Sequence, residues 1–76
     1  MELNDVKYAL SDETIGATIT ALEFARSRYV QEATALLKSA RDEQDVELVK
    51  LSRKLGKERL EKADATAALV DFYLHL

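Results

Sequence analysis

Apolar residues recur at steps of three and four along the first half of the chain, the spacing that places them on one side of an α-helix. We therefore predict one long amphipathic helix over residues 11–41. Ser11 is a suitable N-cap, and the acids Asp12 and Glu13 suit the positive end of the helix dipole. The members of this stripe are Ile15, Ile19, Leu22, Ala25, Tyr29, Val30, Ala33, Leu36, Leu37 and Ala40.

A second apolar stripe predicts a second helix over residues 45–76. Residues 41–45 separate the stripes and include Asp42 and Asp45, either of which can cap a helix. Because these residues include no glycine or proline, a single continuous rod is the alternative. The two segments are nearly equal in length, so we predict an all-α fold, a long antiparallel helical hairpin whose stripes pack together. The second stripe comprises Leu48, Leu51, Leu55, Ala63, Leu69, Val70 and Tyr73.

Residues 1–10 are predicted to form a short N-terminal arm or a short helix, since a segment of this length is not stable alone. The chain contains no run approaching the roughly 18 apolar residues of a membrane span, and its first residues include acids where a signal peptide has bases. Cysteine is absent, as is usual in a reducing compartment. These features predict a cytoplasmic protein without a membrane partner.

The size of the chain favours self-association. A protein of 76 residues buries only about 60% of its unfolded surface, and this one has neither cysteines for disulfides nor more than one histidine for a zinc site. Four apolar residues lie roughly 140 to 180° from the main stripe of the first helix. We predict that they form the interface of a homo-oligomeric helical bundle, with a dimer as the expected form, although scattered surface residues are the alternative. They are Ala17, Ala21, Phe24 and Ala35.

Arg26 falls within the main apolar stripe, where an unpaired guanidinium is costly to bury. Reflection of the chain about residue 43 would place Tyr29 opposite Gly56. In the same register Arg26 would lie near Glu58 and Glu61, so an internal ion pair is expected. A ligand-binding arginine between helices is the alternative.

A cluster of cations between Lys50 and Lys62 predicts a basic ridge on the second helix. Six cations and two acids give this segment a charge of +4, whereas the whole chain has a net charge of −3. An ordinary solvated face is one interpretation, and a binding site for an acidic protein surface or a small anionic ligand is the other. The acidic balance and the absence of helix-turn-helix spacing make nucleic acid unlikely as a partner. The cations are Lys50, Arg53, Lys54, Lys57, Arg59 and Lys62.

No grouping of residues in the sequence indicates catalysis, a metal site or a cofactor. His75 has no second histidine, cysteine or positioned serine beside it. We therefore expect a small non-enzymatic interaction protein, an inhibitor or adaptor that acts through a helical surface. An oligomeric binder of a small anionic ligand such as a nucleotide is the alternative, and a nucleic-acid accessory protein is third. The candidate binding residues are Arg26, Lys50, Arg53, Lys54, Lys57 and Arg59.

Overall fold

The computed structural model describes residues 11–76 as two helices that pack against each other as a hairpin. Helix α1 spans Asp12–Asp42, and helix α2 spans Val46–Leu74. No strand occurs between residues 11 and 76. The predicted all-α hairpin is confirmed, whereas the predicted N-terminal arm, residues 1–10, lies outside the described residues.

Local hydrogen bonds explain where the helices begin. The Ser11 hydroxyl accepts a hydrogen bond from the amide of Thr14 at 3.2 Å and so caps α1. The Asp45 carboxylate caps α2 by accepting from the amides of Glu47 at 2.9 Å and Leu48 at 3.4 Å. Glu43 has an extended backbone, and its carboxylate accepts from the amide of Asp45 at 3.1 Å. The chain therefore turns over residues 43–45 rather than continuing as a rod.

Small residues form the line along which the helices meet. The buried residues of α1 are Ala33 and Ala40. Those of α2 are Gly56, Ala63 and Thr66. We call these five residues the contact line. No large apolar side chain of residues 11–76 is fully buried, so the two backbones lie close together but enclose little hydrophobic volume.

Gly56 sets the closest approach of the helices. A Cβ atom built on this glycine would lie 3.0 Å from both Cγ and Cδ2 of Leu37 and 3.6 Å from the carbonyl oxygen of Ala33. Tyr29 instead lies beside Lys62, whose ammonium is 5.9 Å from the ring centroid. The expected pairing of Tyr29 with Gly56 is therefore wrong. The register is displaced because Gly56 fits against the Ala33 and Leu37 turn.

The side of α2 that faces α1 also differs from the prediction. The predicted stripe contained Leu48, Leu51 and Leu69, but these side chains are 48%, 51% and 49% exposed. Ala63, a member of the predicted stripe, does face α1, and it is joined there by Gly56 and Thr66 in place of those leucines. Small side chains allow a closer backbone approach than leucines do, and the leucines remain on the flank of the hairpin.

Candidate protein-interaction surface

A groove of about 460 Å³ runs along one flank of the hairpin. Val30 of α1 and both Ala67 and Val70 of α2 supply its apolar walls. The polar lining comes from α1 alone. The polar residues are Glu23, Arg26, Ser27 and Gln31.

Apolar side chains continue from this groove toward the turn. Leu37 lies two helical turns beyond Val30, and Leu60 lies two turns before Ala67, so each follows its helix along the same flank. Val30, Leu37 and Leu60 are 40%, 38% and 40% exposed. Arg53, seven residues before Leu60, continues this line of α2, and Lys57 lies beside it. We call this flank the groove face, and its residues are Arg26, Val30, Leu37, Arg53, Lys57, Leu60 and Ala67.

Arg26 is an exposed residue of the groove rather than a buried one. Among residues 11–76 it has no ion-pair partner, and the expected pair with Glu58 or Glu61 does not form. The displaced register explains this result, because it brings Arg26 to the level of Ala67 and Val70. No acid of residues 11–76 holds the guanidinium, so within this part of the chain it can contact a bound molecule.

The opposite flank carries the ion pair that joins the two helices. Nε of Arg59 donates a hydrogen bond to the Glu32 carboxylate at 2.9 Å. The other oxygen of this carboxylate lies 3.5 Å from Nε of Arg28. Lys62 lies on the same flank, over the ring of Tyr29. We call this flank the ion-pair face.

Sequence reasoning missed the pair between Glu32 and Arg59 and assigned Arg59 to the basic ridge. Arg59 lies three residues after Gly56 and four before Ala63, so its position facing α1 follows only when those two small residues are known to face α1. Half-buried beside α1, Arg59 is committed to an internal contact. It is therefore separate from the exposed cations.

The other predicted ridge cations are exposed. Lys50 lies 3.9 Å from Glu47, while Arg53, Lys54 and Lys57 have no ion-pair partner among residues 11–76. Arg26 is at the level of Ala67, so it is on the order of 15 Å along the axis from Lys57 at a rise of 1.5 Å per residue. One hairpin does not bring Arg26 and the ridge together around a small ligand.

The residues predicted to form an oligomer interface all lie on the exposed surface of α1. Ala17, Ala21, Phe24 and Ala35 are exposed, and Phe24 is 73% exposed. At 100° per residue, Ala17, Phe24 and Ala35 lie within about 20° of one another on the side of α1 away from α2, and Ala21 lies about 40° further around, toward the ion-pair face. The four residues share one broad exposed surface of α1, and its role as an oligomer interface stays a prediction.

Groups with catalytic or metal-binding potential are sparse in the described part of the chain. No cluster of three or more histidine, cysteine, aspartate or glutamate side chains could hold a metal ion between residues 11 and 76. His75 is exposed, with Nδ1 at 2.7 Å from the Asp71 carbonyl oxygen and 3.5 Å from its carboxylate. Neither α1 nor α2 contains a stretch apolar enough to cross a membrane.

Comparison of the chain with protein-family models, with curated proteins and with solved structures finds no match.

Proposed function

We propose that the protein is a small non-enzymatic interaction protein, of the inhibitor or adaptor type, which binds another protein through its groove face. The observation that carries this proposal is the exposure of Val30 and Leu37 on α1 and of Leu60 on α2, on one flank beside an open groove. Apolar side chains arranged along a groove are the usual docking site for the apolar stripe of a partner helix.

The charges of the groove face indicate the kind of partner. Arg53 and Lys57 flank the apolar line near the turn and have no ion-pair partner within residues 11–76. Arg26 supplies a further cation inside the groove, next to Glu23. A helix with acidic residues beside its apolar stripe would complement this pattern, because opposite charges steer and orient association. The absence of cysteine favours a reducing compartment, so we propose that binding occurs in the cytoplasm.

The alternative function is capture of a small anionic ligand such as a nucleotide. The exposed side chain of Arg26 in a groove of about 460 Å³ favours this alternative. The negative charge of Glu23 in the same groove opposes it, as does the distance along the hairpin between Arg26 and the basic ridge. Nucleic acid is the weakest candidate because the chain has a net charge of −3. A ligand present at 100 times its dissociation constant would add about 2.7 kcal/mol of stability. A panel of nucleotides can be tested for a rise in the unfolding temperature of the chain. A rise that is lost in Arg26→Gln would favour this alternative over our proposal.

Capture of partners from native lysate on the immobilised chain tests the proposal directly. Leu60→Glu places a carboxylate on the apolar line and is expected to abolish capture of a specific partner. Ala68→Glu makes the same kind of change on the exposed back of α2 and is expected to retain it. Arg53→Glu with Lys57→Glu should weaken capture and reduce its dependence on salt. Identical captured proteins for the wild type and Leu60→Glu would contradict a role for the groove face.

A further inference from the structure

The ion-pair face carries a second line of residues on α2 that recurs at alternating steps of three and four. This line lies about 100° around the helix from the contact line. Six of its eight residues are apolar, and among them Leu48, Leu51 and Phe72 are 48%, 51% and 59% exposed. Such spacing is the pattern of a coiled-coil seam. We call it the α2 seam; it comprises Leu48, Leu51, Leu55, Glu58, Lys62, Ala65, Leu69 and Phe72.

The α2 seam is complementary to itself in the antiparallel direction. Two copies of α2 can be placed antiparallel with their seams in contact and with residue 60 of each copy at the same level. Each residue of the seam then meets a residue of the seam on the other copy. Large side chains then meet large or small ones, and the two charged positions meet each other. The resulting pairs are Leu48 with Phe72 of the partner subunit, Leu51 with Leu69 of the partner subunit, Leu55 with Ala65 of the partner subunit, and Glu58 with Lys62 of the partner subunit.

The two charged residues are the informative members of the α2 seam. Glu58 is half-buried, and neither Glu58 nor Lys62 has an ion-pair partner among residues 11–76. In an apolar seam such charges are unfavourable unless they are paired. The antiparallel crossing forms two pairs between Glu58 and Lys62, one on each side of the two-fold axis. Polar residues in a helical seam fix its register and orientation.

Helix α1 has a matching line on the same face. Glu32, the residue that holds Arg59, is one of its members, and most of the others are small. It is also self-complementary, with Arg28 opposite Glu32 of the partner subunit and Ala25 opposite Ala35 of the partner subunit. We call it the α1 seam; it comprises Thr18, Ala21, Ala25, Arg28, Glu32, Ala35, Ser39 and Asp42.

The two seams have their centres at the same level of the hairpin. The α1 seam is symmetric about Val30, and the α2 seam is symmetric about Leu60. The pair between Glu32 and Arg59 and the contact between Tyr29 and Lys62 place residue 30 at the level of residues 60 and 61. A single two-fold axis between two hairpins therefore pairs the α1 seams with each other and the α2 seams with each other. The two seams were identified separately, each from the spacing of residues on its own helix.

We propose that the ion-pair face docks a second copy of this chain to form a two-fold symmetric, antiparallel four-helix bundle. The α2 seams supply the apolar contact, and the small residues of the α1 seams let the α1 helices approach. A central polar layer of Arg28, Glu32, Glu58 and Lys62 from both chains sets the register. The groove face lies on the opposite flank and stays accessible to another protein.

The mass and the orientation of the assembly give a first test. The wild-type chain is expected to have a mass in solution of about 17 kDa, twice its 8.5 kDa. The chain has no cysteine, so Leu51→Cys and Leu69→Cys can be introduced separately. On oxidation, a mixture of these variants should form a disulfide-linked heterodimer, while neither variant links to itself efficiently. A chain that stays monomeric at every concentration would overturn the proposal, whether residues 1–10 or another protein covers the seam. Efficient formation of a disulfide between two copies of Leu51→Cys would overturn the antiparallel arrangement.

Exchange of the central charges gives the sharpest test. Glu58→Lys and Lys62→Glu each make the central contacts repulsive, and each should weaken dimerisation on the order of tenfold or more. In an equal mixture every central contact again holds one acid and one base, so native mass spectrometry should show mainly the mixed dimer. Glu47→Lys and Lys50→Glu, in the exposed pair outside the seam, should leave dimerisation unchanged. Dimerisation of both single variants at wild-type strength, or a mixture that stays monomeric, would overturn the proposal.

Discussion

The contact line and the α2 seam belong to the same helix but have opposite compositions. Gly56, Ala63 and Thr66 of the contact line are small and buried, while Leu51 and Phe72 of the seam are large and exposed. A buried methyl group contributes about 0.8 kcal/mol, whereas full burial of a leucine or phenylalanine contributes about 1.5 to 3 kcal/mol. The small residues therefore set how closely the two helices approach, and most of the available hydrophobic free energy remains on the flank.

The dimensions of the hairpin explain why α1 and α2 by themselves do not bury the flank. The molecule measures 57 × 20 × 15 Å, and one helix with its side chains is about 10 Å across. A structure that is two helices wide has no interior that shields a leucine on all sides. Full burial of the α2 seam requires a further layer of structure packed against α1 and α2.

The largest expected effect comes from placing a charge on the α2 seam rather than on the back of the hairpin. Leu51→Glu brings two carboxylates into the apolar contact of the proposed dimer and should cost about 3 to 5 kcal/mol of dimer stability. Phe24→Glu makes a similar change at a residue that is 73% exposed and should stay within about 0.5 kcal/mol. Urea unfolding followed by circular dichroism at two protein concentrations measures both.

We also expect the urea midpoint of the wild-type chain to rise with protein concentration, because association stabilises the folded chain. Equal destabilisation by Leu51→Glu and Phe24→Glu would indicate that the back of α1 is also an interface. Such a result would support the interface predicted from the sequence at Ala17, Ala21, Phe24 and Ala35.

A smaller effect is expected from enlarging a residue of the contact line. Ala63 is 3% exposed, and Ala63→Leu would force α1 and α2 apart at a cost of about 1 to 3 kcal/mol. Ala68→Leu adds the same atoms on the exposed back of α2 and should change stability by less than about 0.5 kcal/mol. Thermal unfolding of the two variants provides the comparison, and a tolerated leucine at residue 63 would mean that the contact line is loosely packed.

The hairpin and its helix caps could be predicted from the sequence because they depend on local signals. Ser11 and Asp45 each cap the helix that follows, and both contacts lie within three residues. The facing side of α2 could not be predicted in the same way. Its two heptad lines differ by only about 100° of rotation, and periodicity favours the line richer in leucine. The structure places the line that contains Gly56 against α1, because that line permits the closer approach.

The difference of about 100° between the two lines of α2 also explains why the positions of Arg59 and Arg26 were not predicted. Once Gly56 and Ala63 face α1, Arg59 between them must also face α1, and it pairs with Glu32. Arg26, which had been expected to pair inside the hairpin, moves to the groove. The predicted roles of Arg26 and Arg59 thus depended on the register between α1 and α2. Apolar periodicity places residues on one side of a helix but does not determine that register.

The two glycines of the chain, Gly16 and Gly56, give the smallest and most local comparison. A Cβ on Gly16 would have nothing within 4 Å among the described residues, so Gly16→Ala should stabilise the protein by about 1 kcal/mol through helix propensity alone. Gly56→Ala gains the same propensity but places its Cβ 3.0 Å from Cγ and Cδ2 of Leu37. Cγ is held near the backbone and cannot swing away as a terminal methyl does, so the gain should be cancelled or reversed. Urea unfolding of the two variants measures the difference, and equal stabilisation by both would show that the helices can separate at Gly56 without cost.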